Sequence, residues 1–293
     1  REEPAGVRDR TRGQVVSFSE RLRAAFASRG QLCVGIDPHE HLLTQWGLDA
    51  SAAGAREFGL RVVEACAGRV GIVKPQVSFF ERYGSAGFAA LEDVLAAARA
   101  AELLVIADAK RGDIGTTMDA YARAWLTPGS PLEADALTVS PYLGVGSLND
   151  TFAYAAEHGK GIFVLAATSN PEATVLQRAV PAGAETLARS IVDEVSAWNR
   201  NATGESLGDI GFVIGATVDR RVAGLDDALT PAAPILAPGF GAQGARLSEL
   251  AQLFGADAPN VIASESRGIL GAGQGGLSEA IETKQAELGV FGG

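Results

Sequence analysis

Cysteine is nearly missing from the 293 residues: only two occur. Cys33 and Cys66 each lie inside an apolar stretch, LCVGI and VVEACAG, which points to buried free thiols rather than a disulfide framework. Histidine is almost as sparse, with three residues in all. That leaves few bases for a Ser-His-Asp or Cys-His relay, and no G-x-S-x-G elbow is present. His39 and His41 flank Glu40 in the manner of a ligand cluster, but neighbours two apart are expected to point to opposite sides, and the third histidine is the distant His158, so no metal site is expected. Positive charge is also short: 25 Lys and Arg face 35 Asp and Glu, for a net charge of −10. This argues against a general electrostatic footprint for nucleic acid or an anionic membrane. An anionic ligand would need a locally basic site. No apolar run approaches the roughly 18 residues that span a bilayer, and the opening REEPAGVRDRTRG lacks a signal peptide's apolar core. A soluble cytoplasmic protein is expected.

What is present is a full core's worth of apolar residue, 47% of the chain, with 20% charged. That composition excludes a disordered or fibrous protein. Eight short runs rich in Val, Ile and Leu recur at 32–36, 69–74, 103–108, 134–139, 161–168, 210–217, 233–238 and 260–265. Ala-rich amphipathic stretches alternate with them at about 51–67, 86–100, 117–126, 147–158, 184–201, 219–228, 244–254 and 277–288. Strands alternating with helices predict a parallel sheet. Eight such units favour a closed α/β fold, the (β/α)8 TIM barrel, over a doubly wound open sheet. No repeat or low-complexity linker divides the chain, so residues 1–29 are read as an N-terminal extension and first helix and 30–293 as one barrel catalytic domain. The interval from Asn170 to Gly208 is the longest between strands, with room for a lid over the barrel mouth.

Barrel enzymes carry their reactive groups where strands end, so the polar residues after the eight runs matter most. Strand 1 ends in Asp37, strand 2 in Lys74, and strand 3 in Asp108 with Lys110; Asp113 follows in DAKRGDIGTT. Side chains two apart on a strand share a face, which puts Asp108 and Lys110 together at the mouth, beside Lys74. Any one Lys–Asp pair reads better as a rim salt bridge. A strand as aliphatic as LLVIA has no structural need to end in D-x-K-x-x-D, however, and the converging charges point to a site. Gly239–Gly244 and Gly271–Gly276 both satisfy G-x-G-x-x-G. A dinucleotide fold would need an acidic residue closing a following strand about 20 residues on, yet Asp257 precedes strand 8 and 17 residues follow Gly276. Loops after strands 7 and 8 of a barrel cradle phosphate instead, with Arg267 as a bidentate donor and Gln243 within reach of the same ligand. The plainer alternative is a surface loop with a solvated arginine.

These residues together resemble the orotidine 5′-phosphate decarboxylase family over about residues 30–270. The D-x-K-x-x-D motif stands as Asp108-Ala109-Lys110-Arg111-Gly112-Asp113, with Ile114 and Thr117 at the family's offsets. Asp37, Lys74 in VKPQ, ATSNP with Ser169, and PGFGAQG from Pro238 to Gly244 match further motifs. The VKPQ and TVSPYLG segments look most like the larger mycobacterial-type subgroup. The resemblance implies decarboxylation of orotidine 5′-phosphate to UMP and CO2, the last step of UMP synthesis, with no cofactor and no metal. It also implies a homodimer in which Asp113 and Thr117 complete the partner's site. Catalysis would fall to Lys110, Asp108, Lys74 and Asp113. Asp37 and Lys74 would hold ribose hydroxyls, while Gln243, Gly268 and Arg267, with the Pro238–Gly244 loop, would grip phosphate. Ser169 and Gln243 would read the pyrimidine edge, and Ile114 and Leu165 would line an apolar wall near the departing CO2. Two readings compete: a metal-dependent sugar-phosphate decarboxylase or aldol-type synthase of the same barrel superfamily, which shares D-x-K-x-x-D but has Glu at the place of Lys74, and a catalytically silent nucleotide-phosphate-binding barrel.

Overall fold

A computed structural model describes residues 15–181, 185–204 and 206–289. Eight strands, β1 (Leu32–Ile36), β2 (Ile72–Pro75), β3 (Leu104–Arg111), β4 (Ala136–Val139), β5 (Gly161–Ala167), β6 (Ile210–Ile214), β7 (Ile235–Pro238) and β8 (Val261–Glu265), close in sequence order into a barrel. Every neighbouring pair is parallel, including β1 with β8. The eight apolar runs of the sequence are these eight strands. Among the described residues twelve α-helices accompany them: α1 (Phe18–Arg29), α2 (Glu40–Gln45), α3 (Ala52–Cys66), α4 (Ser78–Glu81), α5 (Gly84–Ala100), α6 (Gly115–Leu126), α7 (Asn149–Glu157), α8 (Ala173–Gln177), α9 (Leu187–Thr203), α10 (Leu250–Phe254), α11 (Arg267–Leu270) and α12 (Leu277–Gly289). No helix among the described residues is long and apolar enough to cross a membrane.

The barrel interior is built in layers, as the two-residue period of a strand requires. Cys33, Ile72, Ile106, Ala136, Phe163, Val213, Leu236 and Ile262, one from each strand, form a single buried cluster. Residues two further along on each strand form the next layer up, and there the chemistry changes: Lys74 follows Ile72, Asp108 follows Ile106, Thr138 follows Ala136 and Ser264 follows Ile262. Below the apolar layer, Phe18 and Leu22 of α1 complete the cluster. Phe18 meets Phe163 edge-on at 5.9 Å between ring centroids. Gly161 makes room for it, since a Cβ there would lie 2.4 Å from the Phe18 ring. The helix is set by a Ser17–Glu20 capping box, and its plug closes the end of the barrel away from the strand C-termini. Both cysteines are free and buried, and burial pushes the Cys33 thiol up to about 12.

Two expected helices differ from the sequence reading. Residues 219–228 form turns rather than a helix. The first turn ends where Leu225 donates to Arg220 O at 2.7 Å with Gly224 at φ 74°, a left-handed termination that stops a helix after one turn. The segment 244–254 shortens to a 3-10 turn at Leu247–Glu249 and α10, because its first residues are drawn into the β7 loop. Most of the expected helix 184–201 is α9, whose Thr186 hydroxyl accepts from Arg189 N; residue 184 lies outside the described residues.

Candidate active site

Strand ends converge on a pocket of about 320 Å³ at the C-terminal mouth of the barrel. Asp37, Lys74, Asp108, Lys110, Leu165, Ser169, Pro238, Gln243 and Arg267, all singled out in the sequence, line it. At its centre Asp108 is shared by two ammonium groups, with Lys74 Nζ 3.0 Å from Oδ2 and Lys110 Nζ 2.5 Å from Oδ1. Lys74 and Asp108 are buried, whereas the Lys110 side chain is half exposed to the cavity. Burial alone would push the Asp108 carboxyl up, but Lys74 and Lys110 outweigh it and hold it well below the ordinary carboxylate range. Burial likewise opposes the Lys74 charge, and the Asp108 and Asp37 carboxylates more than offset that, so its ammonium is held above the usual lysine value. Both groups therefore stay ionised at neutral pH. Asp37 Oδ1 is buried and has no hydrogen-bond partner, an acceptor left over for a ligand.

Asp108 and Lys110 meet by a route that simple alternation does not describe. The register between β3 and β4 shifts between Ala107 and Arg111, and Lys110 adopts φ 49°, the left-handed region that non-glycine residues enter at a cost. The regular pleat is broken at the lysine, and its side chain folds back onto Asp108.

Across the mouth, Ser169 Oγ donates to Gln243 Oε1 at 3.2 Å, bringing the β5 and β7 loops together. The β7 loop turns at Gly239, Gly241 and Gly244, with φ of 113°, 70° and 109°, values that glycine adopts without strain. Beneath it lies Glu265, the last residue of β8, 1% exposed. A Cβ on Gly241 or Gly268 would stand 2.4 or 2.1 Å from Glu265 Oε1, so the β7 and β8 loops both pack on this carboxyl through glycine. Burial raises the Glu265 pKa against the pull of Lys284, whose Nζ is 3.6 Å away.

Five predicted residues do not line this chain's pocket: Asp113, Ile114, Thr117, Gly244 and Gly268. Asp113 Oδ1 accepts from Ile114 N at 2.8 Å, and Ile114 is 61% exposed. His39 and His41 are not opposed as expected; their rings lie 5.3 Å apart, because His39 caps α2 and His41 lies in its first turn. Neither lines the pocket, and no group of three or more His, Cys, Asp or Glu suited to a metal ion occurs among the described residues. The sequence reading also passed over polar residues of the site. Gln76 Nε2 donates to Asp108 O at 3.2 Å, Ser264 and Ser266 line the pocket, and Thr138 hydrogen-bonds both Asp108 and Lys110. The two-residue period would have found Thr138 and Ser264. They sit inside apolar runs, however, where a small hydroxyl passes for strand filler.

The family model described as orotidine 5′-phosphate decarboxylase / HUMPS family matches residues 30–280. The chain belongs to this family. It is 52% identical over 257 residues to orotidine 5′-phosphate decarboxylase of Salinispora arenicola, covering 88% of this chain and 91% of that one. It is 48% identical over 280 residues to the enzyme of Corynebacterium efficiens, covering 94% and 98%. Among solved structures, a candidate orotidine 5′-phosphate decarboxylase from Streptomyces avermitilis is similar with a TM-score of 0.88 at 47% identity, over 94% of this chain and 95% of that one. The orotidine 5′-phosphate decarboxylase of Leishmania donovani is similar with a TM-score of 0.76 at 31% identity, over 94% and 98%. The (β/α)8 barrel is thus the fold of the family as well as of this chain.

Proposed function

We propose that this chain decarboxylates orotidine 5′-phosphate to UMP and CO2, the last step of de novo pyrimidine nucleotide synthesis. The observation that carries the reading is the charged array set directly above the apolar layer of the barrel, with Asp108 held ionised between Lys74 and Lys110. Breaking the C6–CO2 bond leaves its electron pair on a carbon with no adjacent electron sink, so the site has to stabilise that charge with preorganised electrostatics. The Lys110 ammonium, fixed against Asp108, supplies the positive charge and then the proton that replaces CO2 at C6. Asp108 stays charged beside the substrate carboxylate and disfavours the ground state. Binding energy from the distant phosphate, gripped by Arg267, Gln243 and the amides around Gly268, offsets that cost. Asp37, with an oxygen free to accept, and Lys74 take ribose hydroxyls. Ser169 and Gln243, already hydrogen-bonded to each other, face the pyrimidine edge, and Leu165 supplies the apolar wall.

The active form is a homodimer in which Asp113 and Thr117 of the partner subunit complete the lysine–aspartate array and Ile114 completes the apolar wall. The exposure of Ile114, Tyr142 and Leu143 beside the mouth, 61%, 78% and 52%, supports an apolar contact there. Ultraviolet-monitored conversion of orotidine 5′-phosphate to UMP, run with and without EDTA, tests the function. Rapid loss of substrate in both is expected. Turnover of a sugar phosphate that EDTA abolishes would move the chain to metal-dependent chemistry instead.

A further inference from the structure

Lys110 and Glu102 are the two non-glycine residues with positive φ among the described residues. Glu102 lies in the turn that ends α5, a common place for such a conformation. Lys110 carries the mechanism, and its strained backbone needs something to hold it. The candidate is Thr138, fully buried on the neighbouring β4. Its Oγ1 accepts the Lys110 backbone N–H at 2.9 Å and lies 3.0 Å from Asp108 Oδ1. A hydroxyl has a single hydrogen. The alternative acceptor, Ala107 O, is 3.5 Å away, so that hydrogen goes to Asp108, the nearer and charged oxygen. Asp108 Oδ1 in turn accepts from Lys110 Nζ at 2.5 Å. The contacts close a ring: Lys110 N–H to Thr138 Oγ1, Thr138 O–H to Asp108 Oδ1, and Lys110 Nζ to the same oxygen.

We propose that Thr138 is a positioning residue for the decarboxylation, fixing at once the left-handed backbone of Lys110 and the carboxylate against which its ammonium is aligned. The inference rests on the function proposed above. Thr138 does not line the pocket, so it acts only through Lys110 and Asp108. At the point where β3 leaves its register with β4, the backbone N–H of Lys110 pairs with this side chain rather than with a β4 carbonyl. A valine here would fill the same space and satisfy neither neighbour. Among the described residues, Thr138 is the only group hydrogen-bonded both to the lysine's main chain and to the aspartate's side chain, so its loss acts on the lysine's placement more than on the pocket walls.

The experiment compares Thr138→Val and Thr138→Ser in the full-length protein, after the wild type has been shown to convert orotidine 5′-phosphate. A misplacement of an ångström at a reacting group costs about 100-fold, so kcat for Thr138→Val should fall about 10- to 100-fold. KM and the Kd of UMP should stay within about threefold, because no substrate contact is lost. Thr138→Ser restores both hydrogen bonds and should return kcat to within about fivefold of wild type. A Val variant with wild-type kcat overturns the proposal, as does a Ser variant as slow as the Val variant. Should Thr138→Val not fold, Thr138→Ala against Thr138→Ser puts the same question, and equal kcat values overturn it. A wild type without activity would instead strike down the function itself, a result distinct from either.

Discussion

Asp108 and Lys74 make opposite demands on pH, and together they define a window. The Asp108 carboxyl is held below its ordinary value, so its stabilisation is complete above the unfolded value near pH 4 and is lost as pH falls toward the native one. The Lys74 ammonium is held above its ordinary value, so its stabilisation is complete below the unfolded value of about pH 10 and is lost only as pH rises through the native one. Urea midpoints should therefore show no titration from this pair between about pH 5 and 9. Asp108→Asn should cost about 3 kcal/mol in the same assay by leaving Lys74 buried without its hydrogen-bonded carboxylate; a loss of stability under about 1 kcal/mol would mean the pair is solvated. Lys110 is half exposed and bears little of the fold, so Lys110→Ala should keep the melting temperature. Its turnover should drop by about four orders of magnitude or more, with UMP still bound. Near wild-type turnover would remove Lys110 from the chemistry.

Among the elements, the loops after β7 and β8 both pack against one buried carboxyl, Glu265, through Gly241 and Gly268. Gly268→Ala would bring a Cβ to 2.1 Å from Glu265 Oε1, so either the buried carboxyl or the β8 loop has to move. KM for orotidine 5′-phosphate should rise about 10-fold or more, with less change in kcat at saturation, since phosphate grip is lost rather than chemistry. Steady-state kinetics decide this, and an unchanged KM would show that the Glu265 carboxyl absorbs the added methyl or that the loop does not meet phosphate. At the opposite end of the barrel, α1 contributes structure and none of the pocket lining: Phe18 packs on Phe163, Ser19 N donates to Asp209 and Arg21 pairs with Asp135. Phe18→Ala should cost about 3–5 kcal/mol in urea unfolding and leave kcat untouched at 25 °C.

For the whole molecule, the sharpest prediction concerns subunit mixing. If Asp113 enters the partner's pocket, dimers of one Lys110→Ala and one Asp113→Ala subunit each contain one site with both native groups. Two nearly inactive variants, co-refolded in equal amounts, should recover about a quarter of the wild-type activity, because half the dimers are mixed and each mixed dimer has one native site. No recovery, with light scattering showing a dimer, would place Asp113 in its own subunit's site. The chain's net charge is −10, while the pocket sets Lys74, Lys110 and Arg267 against Asp37 and Asp108, so an anionic ligand meets a local excess of positive charge on a negative molecule.

The sequence by itself determined the barrel, its strands and the charged strand ends. Hydrophobic periodicity records which residues must leave water, and D-x-K-x-x-D interrupts that record where no packing need explains it. Periodicity does not report where a strand departs from its own period. The bulge at Lys110, its left-handed φ and the Thr138 hydroxyl that pairs with it became visible only once β4 was laid beside β3, because the partner group is 28 residues away. The helix expected at 219–228 failed for a related reason: its amphipathic pattern was sound, but the Gly224 termination and the Arg220–Asp257 ion pair held the segment as turns. Glu265 read as the end of an apolar strand, and its place under Gly241 and Gly268 depends on three segments meeting. Tertiary structure decided which polar groups share a neighbour. That is a question of distance across strands, and a linear pattern carries information only along one.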